Sequence, residues 1–536
     1  MKSVVFVLGL LAVIVLYSAF LNVTPVHLNQ DELGFSLNAY SIAKTGFDEN
    51  GRFFPLYFWH LNVMWSTPII VYLTALILKL FPLSEVAIRL PSVIVGIINI
   101  VLVYLLAKRI FKSEKFGLLA GVLLATTPVH FIQSRILLDN LYIVPFVLGW
   151  LLLLYEFLER RKPWLLFVSG LVLGFGFYSY HAARVMMPFY LLTTIVCVFP
   201  EVKKKIKLLF IVLIGFLAPL SPLIPWTIAF PETLFLDQVR YTGIYDTTGN
   251  NALSGIVSIL SPESLAHRFN VFISYFNPIY LFLLGDASLI HSTSLHHPLG
   301  LSQSAIKAGV FLLPLLVLIP VGIYSAISEA WPFGLKKRNR LTWLLIFGFF
   351  TAPIAGALAG DHYRYSRILV ILPFAVILAT YGVQFLLNQK RKIFRVAYYL
   401  LLVTTLLHFS YFLYDYFTDY RIRSYAWMKY NIPDALENVI SEDAKSSAET
   451  IYLDNRVGFI DMYWKFYLIK HDKLILARKT QFIDIREARL EMLNTNSIIV
   501  AEFNNVDGQK EQIGPFYKVT NIFEPDGVST FYIFRN

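Results

Sequence analysis

The chain is a succession of apolar stretches about twenty residues long, separated by short loops in several of which lysines and arginines cluster. As a helix, a stretch of that length crosses roughly 30 Å of hydrocarbon and satisfies its own backbone hydrogen bonds. That pattern leaves an all-α polytopic membrane protein as the fold class. Composition agrees: 57% of the 536 residues are hydrophobic and 15% are charged, against roughly 25% charged in a soluble domain. The net charge of +11 raises the question of a nucleic-acid partner. The cations sit in short loops between apolar segments, however, where they set membrane topology, so no nucleic-acid partner is expected. Cys197 is the one cysteine and lies in an apolar run, which rules out a disulfide framework. The N-terminal stretch has a single lysine and no small-residue cleavage site, and reads as an uncleaved first span.

Five basic clusters mark cytoplasmic loops under the positive-inside rule: Lys108–Lys115, Arg160–Lys162, Lys203–Lys207, Lys336–Arg340 and Lys390–Arg395. Spans near residues 3–22, 89–107, 116–133, 141–158, 164–179, 185–199, 207–228, 305–328, 341–358, 367–387 and 396–414 place all five inside. They predict eleven crossings, an inside N-terminus and an outside C-terminus. Pro68–Pro82 is short for a span and is expected to lie along the outer surface. Residues 1–414 then form a transmembrane body with large outer loops at 23–88 and 229–304. Residues 415–536 form a second domain outside the membrane, since about a quarter of the residues from Tyr420 onward are charged. Strand-like runs at Thr450–Leu453, Ser497–Glu502 and Tyr517–Phe523, with helices expected at Pro433–Ser441 and Ile485–Leu493, make it a small α/β domain. Glu524-Pro525-Asp526-Gly527 is a hairpin turn signal before Val528–Phe534.

With that topology the ionisable groups outside the basic loops gather on the outer face. The acids are Asp31, Glu32, Asp139, Asp286 and Asp361. The cations and proton carriers are Arg89, Arg135, His181, Arg184, His291, His296, His297, His362, Arg364 and Arg367. A carboxylate can take the proton of an attacking hydroxyl, and arginine can hold a phosphate as it gains charge on leaving. Bland readings stand beside these. Asp31-Glu32 is also what a helix N-terminus looks like. Arg89 and Arg135 lie at span ends, where snorkelling is usual. Asp139 has i,i+4 spacing to Arg135, and the loop histidines at 291, 296 and 297 suit a solvated loop as well as a metal.

Four pieces carry a resemblance: Asp31-Glu32 in the first outer loop, Ala87-Ile88-Arg89-Leu90-Pro91-Ser92, Ser134-Arg135-Ile136-Leu137-Leu138-Asp139, and Asp361-His362-Tyr363-Arg364-Tyr365-Ser366-Arg367. In order and spacing the chain resembles the membrane glycosyltransferases of the GT-C fold, above all protein O-mannosyltransferases and lipid A aminoarabinose transferases. The resemblance implies a polyprenyl-phosphate sugar donor, a hydroxyl-bearing acceptor and a single inverting displacement at the outer membrane face. It implies Asp31 as the essential base, with Glu32 and Asp139 shaping the site. Substrate contacts are expected from Arg89, Arg135, His181, Arg184, Asp286, His362, Arg364 and Arg367. No cofactor is required, although a divalent cation is compatible with the acids. The loop Asn277–Gly300 would lie over the entrance. The chain departs from the aminoarabinose transferases at Gly34, where they carry an arginine, and at Ser66-Thr67-Pro68, where they carry an acid–lysine pair. A transporter or lipid-linked-sugar flippase is the alternative reading of a chain with so many apolar stretches.

Overall fold

The computed structural model describes residues 2–203, 205–233, 260–285, 308–330, 337–360, 362–425, 428, 430–506 and 510–536. Asp286, Asp361, the histidines at 291, 296 and 297, and most of the loop 277–300 lie outside the described residues.

Among the described residues six helical segments are long and apolar enough to cross a membrane: Glu85–Phe111, Asp139–Arg160, Ala183–Glu201, Asn339–Ala359, Ile371–Asn388 and Lys392–Ile422. Residues 207–229 form a bent pair of the same character, with 40° between its halves. Val4–Ser18, Pro68–Leu80, Pro163–Gly176 and Leu315–Ala330 are shorter apolar helices. One expected span is different in kind. Residues 116–133 are not one helix but two, Glu114–Ala125 and Pro128–Gln133. Pro128 has no N–H to donate and forces extended backbone on Thr127 (φ −74°, ψ 118°), so the helix restarts there. That break turns Gln133 to Asp139 into the bundle end instead of continuing a rod.

The hub of the body is helix Ile371–Asn388, buried along nearly its whole length. It packs against Leu315–Ala330, Lys337–Thr351, Glu114–Ala125 and Lys392–Phe417. Its closest partner is Leu315–Ala330, and reciprocal glycines allow this: a Cβ on Gly322 would strike the Leu378 carbonyl, and one on Gly382 the Leu318 carbonyl. Where lipid replaces water there is no hydrophobic gain from joining helices, so such close backbone approach is what holds them. Helix Lys392–Phe417 shows the opposite pattern. Val396, Leu400, Val403 and Leu407 are all exposed, which is an apolar surface suited to lipid tails.

The helices divide the body into two ends. At one end basic and acidic side chains pair: Glu156 with Arg109 and Arg160, and Glu201 with Arg161 and Arg340. The other end carries the starts of Glu85–Phe111, Val144–Arg160 and Ala183–Val202, and all the candidate residues described below.

Beyond Phe417 a separate sheet forms, of strands β1 (Thr450–Asp454), β2 (Thr480–Ile483), β3 (Ser497–Glu502), β4 (Gln512–Ile513), β5 (Phe516–Phe523) and β6 (Ser529–Arg535), in spatial order β2-β1-β3-β6-β5-β4. β1 runs parallel to β2 and β3, and the remaining pairs are antiparallel. The expected strands and the turn at Glu524–Gly527 are present, the latter closed by the Glu524 N–H on the Val528 carbonyl at 2.7 Å. The helix expected over 485–493 is absent apart from a 3-10 turn at Leu490–Met492. Helix α1 (Ile432–Lys445) matches expectation. Helix α2 (Ile460–Lys470) and strand β2 were not foreseen, because their apolar residues follow neither a clean helical nor an alternating pattern.

Replacing Gly322 with valine should lower the stability of the detergent-solubilised protein by ~2–3 kcal/mol, read as a fall in its thermal unfolding midpoint. An unchanged midpoint would show that this helix contact does not hold the bundle together.

Candidate active site

The site begins with a helix start. Asn29 is the N-cap of helix Gln30–Thr45: its side chain accepts the Asp31 N–H at 2.8 Å, and its own N–H donates to Glu32 Oε2 at 3.0 Å. This capping box satisfies donors that a helix end otherwise leaves unpaired. The bland reading of Asp31-Glu32 as a helix start is therefore correct as local structure, and the two acids have different fates within it.

Glu32 is fully buried. Arg89 grips it with two bonds, Nε to Oε1 at 2.8 Å and Nη2 to Oε2 at 2.9 Å, and the Leu137 N–H adds a third at 3.0 Å. Arg89 spends its remaining donors on the carbonyls of Leu21 at 2.6 Å, Pro25 at 3.2 Å and His27 at 2.9 Å. Arg135, fully buried, donates to the carbonyls of Leu16, Tyr17, Ala19 and Thr24 at 2.6 to 3.2 Å. It thereby caps the end of the first helix, whose last carbonyls need donors. Both arginines were expected to bind substrate, and both are turned into the protein. Neither snorkels, and their geometry is that of clamps on the chain between the first helix and Asn29. Nor is Arg135 the partner of Asp139, which accepts the Thr67 hydroxyl at 2.8 Å instead.

Asp31 is the acid left open, with 42% of its side chain exposed. His60 Nε2 lies 3.2 Å from its Oδ1 and, facing a carboxylate, must be the donor. His60 was not foreseen. It ends the first strand of a short hairpin, Phe58–His60 with Met64–Ser66, whose turn holds Leu61 and Asn62 at positive φ of 52° and 56°. Its ring packs on Phe35, 4.4 Å between centroids, across the face of the Asp31 helix. Only glycine permits this: a Cβ on Gly34 would come within 2.6 Å of the imidazole. The departure at Gly34 is thus the space that a histidine fills, and that glycine was the sequence signal for it.

Asp139 is almost buried, as is His181. Its 3-10 turn Asp139–Ile143 packs against the 3-10 turn Tyr365–Arg367. There Arg367 donates to the Tyr180 hydroxyl at 3.0 Å, and Gln133 to the Tyr365 hydroxyl at 3.2 Å. Arg184 lies over the Tyr57 ring at 4.7 Å and donates to the Thr233 carbonyl at 3.3 Å. Arg364 and His362 are exposed, the latter with Nδ1 3.2 Å from the Ser274 hydroxyl. Around one bundle end the fold therefore sets an open carboxylate, two buried carboxylates, three histidines and several arginines. Among the described residues no three His, Cys, Asp or Glu side chains converge as a metal site.

Residues 66–226 match the family model of the dolichyl-phosphate-mannose-protein mannosyltransferases. Among solved structures, ArnT from Cupriavidus metallidurans in the apo state is 12% identical with a TM-score of 0.55, covering 100% of this chain and 98% of its own. The same protein bound to undecaprenyl phosphate gives 11% identity and a TM-score of 0.51 over 98% of both chains. No curated protein matches the sequence. The fold is that of the GT-C membrane glycosyltransferases, in agreement with the resemblance read from the sequence.

Arg89→Met would leave the Glu32 carboxylate buried without its counter-charge, and should destabilise the protein by ~3–5 kcal/mol. The double variant with Glu32→Gln should recover part of that in thermal unfolding. Gly34→Ala should displace the His60 ring and lower transfer activity while leaving the unfolding midpoint within a few degrees, about 1 kcal/mol.

Proposed function

We propose that the protein is a glycosyltransferase that moves a single sugar from a polyprenyl-phosphate donor to a hydroxyl on a protein, lipid or surface glycan. The observation that carries this reading is the division of labour in the acid pair. Glu32 is locked in a buried ion pair, while Asp31 is open and held by the helix cap and by His60. An exposed carboxylate on a fixed helix start can take a proton from an acceptor hydroxyl as that oxygen attacks the sugar's anomeric carbon. The bond to the donor phosphate breaks on the opposite face, so the configuration inverts. His60 orients Asp31 by donating from Nε2 to its Oδ1. Asp139 and His181 shape the pocket behind it. Arg184, Arg364 and Arg367 supply cationic donors to the phosphate as it takes up charge.

The arrangement of the helices supports the sidedness of this reading. In this reading Asp31, the arginines and the C-terminal domain lie outside the cytoplasmic membrane, on eleven crossings, and the basic clusters at the opposite bundle end, which fit a cytoplasmic face, support it. The step needs no cofactor, and a divalent cation beside the acids is compatible with it. The ArnT structure with undecaprenyl phosphate shows that this fold can hold a lipid phosphate, and a donor of that chemistry is proposed for this chain.

Asp31→Asn keeps the size and the cap of the residue but removes the base. Transfer from a polyprenyl-phosphate sugar should fall at least about 100-fold with an unchanged unfolding midpoint. Full activity in the folded variant would refute the assignment. Mass spectrometry of surface glycans with and without the gene should show one sugar missing from one class of acceptor.

A further inference from the structure

The segment from Leu21 to Asn29 carries no helix or strand, yet much of it is buried. Buried carbonyls need donors, and this segment obtains them from three places. Arg89 serves Leu21, Pro25 and His27, and Arg135 serves Thr24. The carbonyl of Leu28 is served from the C-terminal domain, by the Tyr463 hydroxyl at 2.7 Å. Tyr463 is itself fully buried and sits on α2, which packs on the Asp31 helix. One residue earlier, the His27 ring donates from Nε2 to Glu524 Oε2 at 2.7 Å, with both side chains buried. Glu524 belongs to the β5–β6 hairpin turn, and its other oxygen accepts the Asn431 N–H at 2.7 Å.

We propose that Tyr463 and Glu524 are positioning residues for the transfer reaction: through Leu28 and His27 they fix the Asn29 cap, and through that cap the Asp31 carboxylate. The inference rests on the reading of Asp31 as the base. Leu28 immediately precedes Asn29, whose side chain holds the Asp31 N–H, so a shift of Leu28 rotates the start of the helix. The other ties across the same interface are of a different kind. Lys465–Glu49 and Lys470–Glu85 are partly exposed ion pairs, at 2.6 and 2.9 Å, and neither touches this segment. Among the described residues, the buried hydrogen bonds from the C-terminal domain fall on His27, Leu28 and Asn29 itself, whose Nδ2 donates to Met428 Sδ at 4.0 Å. The C-terminal domain is therefore a third clamp on the catalytic segment, alongside the two arginines of the membrane body.

The test uses the full-length enzyme in detergent with a polyprenyl-phosphate sugar donor. Tyr463→Phe removes one hydroxyl and Glu524→Gln one charge, each at constant shape. Each should lower kcat about 10- to 100-fold, the size of a small misplacement of a reacting group, with the donor KM within about twofold. Lys465→Met, at the exposed pair, should leave kcat within about twofold. Adding Tyr463→Phe to Asp31→Asn should cost nothing further, because the group being positioned is gone. Wild-type kcat in both single variants overturns the inference, as does an equal further loss in the Asp31→Asn background. Loss of both variants from the membrane also overturns it, since the contacts would then serve folding alone. An active Asp31→Asn enzyme would instead overturn the reading of the base, which separates the two failures.

Discussion

The buried pair of Glu32 and Arg89 is the constraint on which the rest of the site depends. Two charges removed from water are costly unless their geometry is good and their remaining donors and acceptors are filled. Here they are: the carboxylate takes three backbone or guanidinium donors besides closing the capping box, and the guanidinium spends its other protons on three carbonyls. The pair therefore fastens three separate parts of the chain at one point. These are the helix that carries Asp31, the irregular segment before it, and the start of the long span at Glu85. Leu137 brings a fourth, the turn that ends in Asp139. Chemistry that needs two acids at fixed positions can rest on such a knot.

Around that knot the side chains divide by burial. Glu32, Arg89 and Arg135 have their hydrogen-bonding capacity turned inward, and their charges are used to hold backbone that forms no regular structure. Asp31 stays partly open, with one oxygen steered by His60, and Arg184, Arg364 and Arg367 belong to a helix start and a short 3-10 turn. A rigid buried layer beneath a partly exposed reactive layer is how a fold keeps a nucleophile or base in register while substrate comes and goes. The same layer reaches into the C-terminal domain through Tyr463, His27 and Glu524. That domain is accordingly joined to the membrane body by buried hydrogen bonds as well as by partly exposed ion pairs.

The C-terminal domain also shows charge used at an interface. Burial disfavours the ammonium of Lys470, but Glu437 and Glu85 outweigh that and raise its pKa, so it stays protonated between the two domains. Tyr467 completes this cluster by donating to the same Glu85 oxygen at 2.9 Å. Glu85 opens the long span to Phe111, which means that the first turn of a membrane helix is read directly by the second domain.

Much of this was legible in the sequence, because bilayers impose simple rules. Apolar length gave the helices, charge in short loops gave the two ends of the bundle, and alternation with turn residues gave four of the six C-terminal strands. The acids and arginines that mark the site were also visible, since charge near a membrane face has to be used. What the sequence did not contain was which of two adjacent carboxylates would be buried. That was decided by the position of Arg89, fifty-seven residues away, and by the hairpin that lays His60 across Gly34. Nor did it show that Arg89 and Arg135 face inward, or that helix α2 and the Glu524 turn reach back to residues 27 and 28. Periodicity reports which face of one element is apolar. It carries no information on which distant element will cover that face, and hydrogen-bond partners hundreds of residues apart are fixed only when the bundle closes.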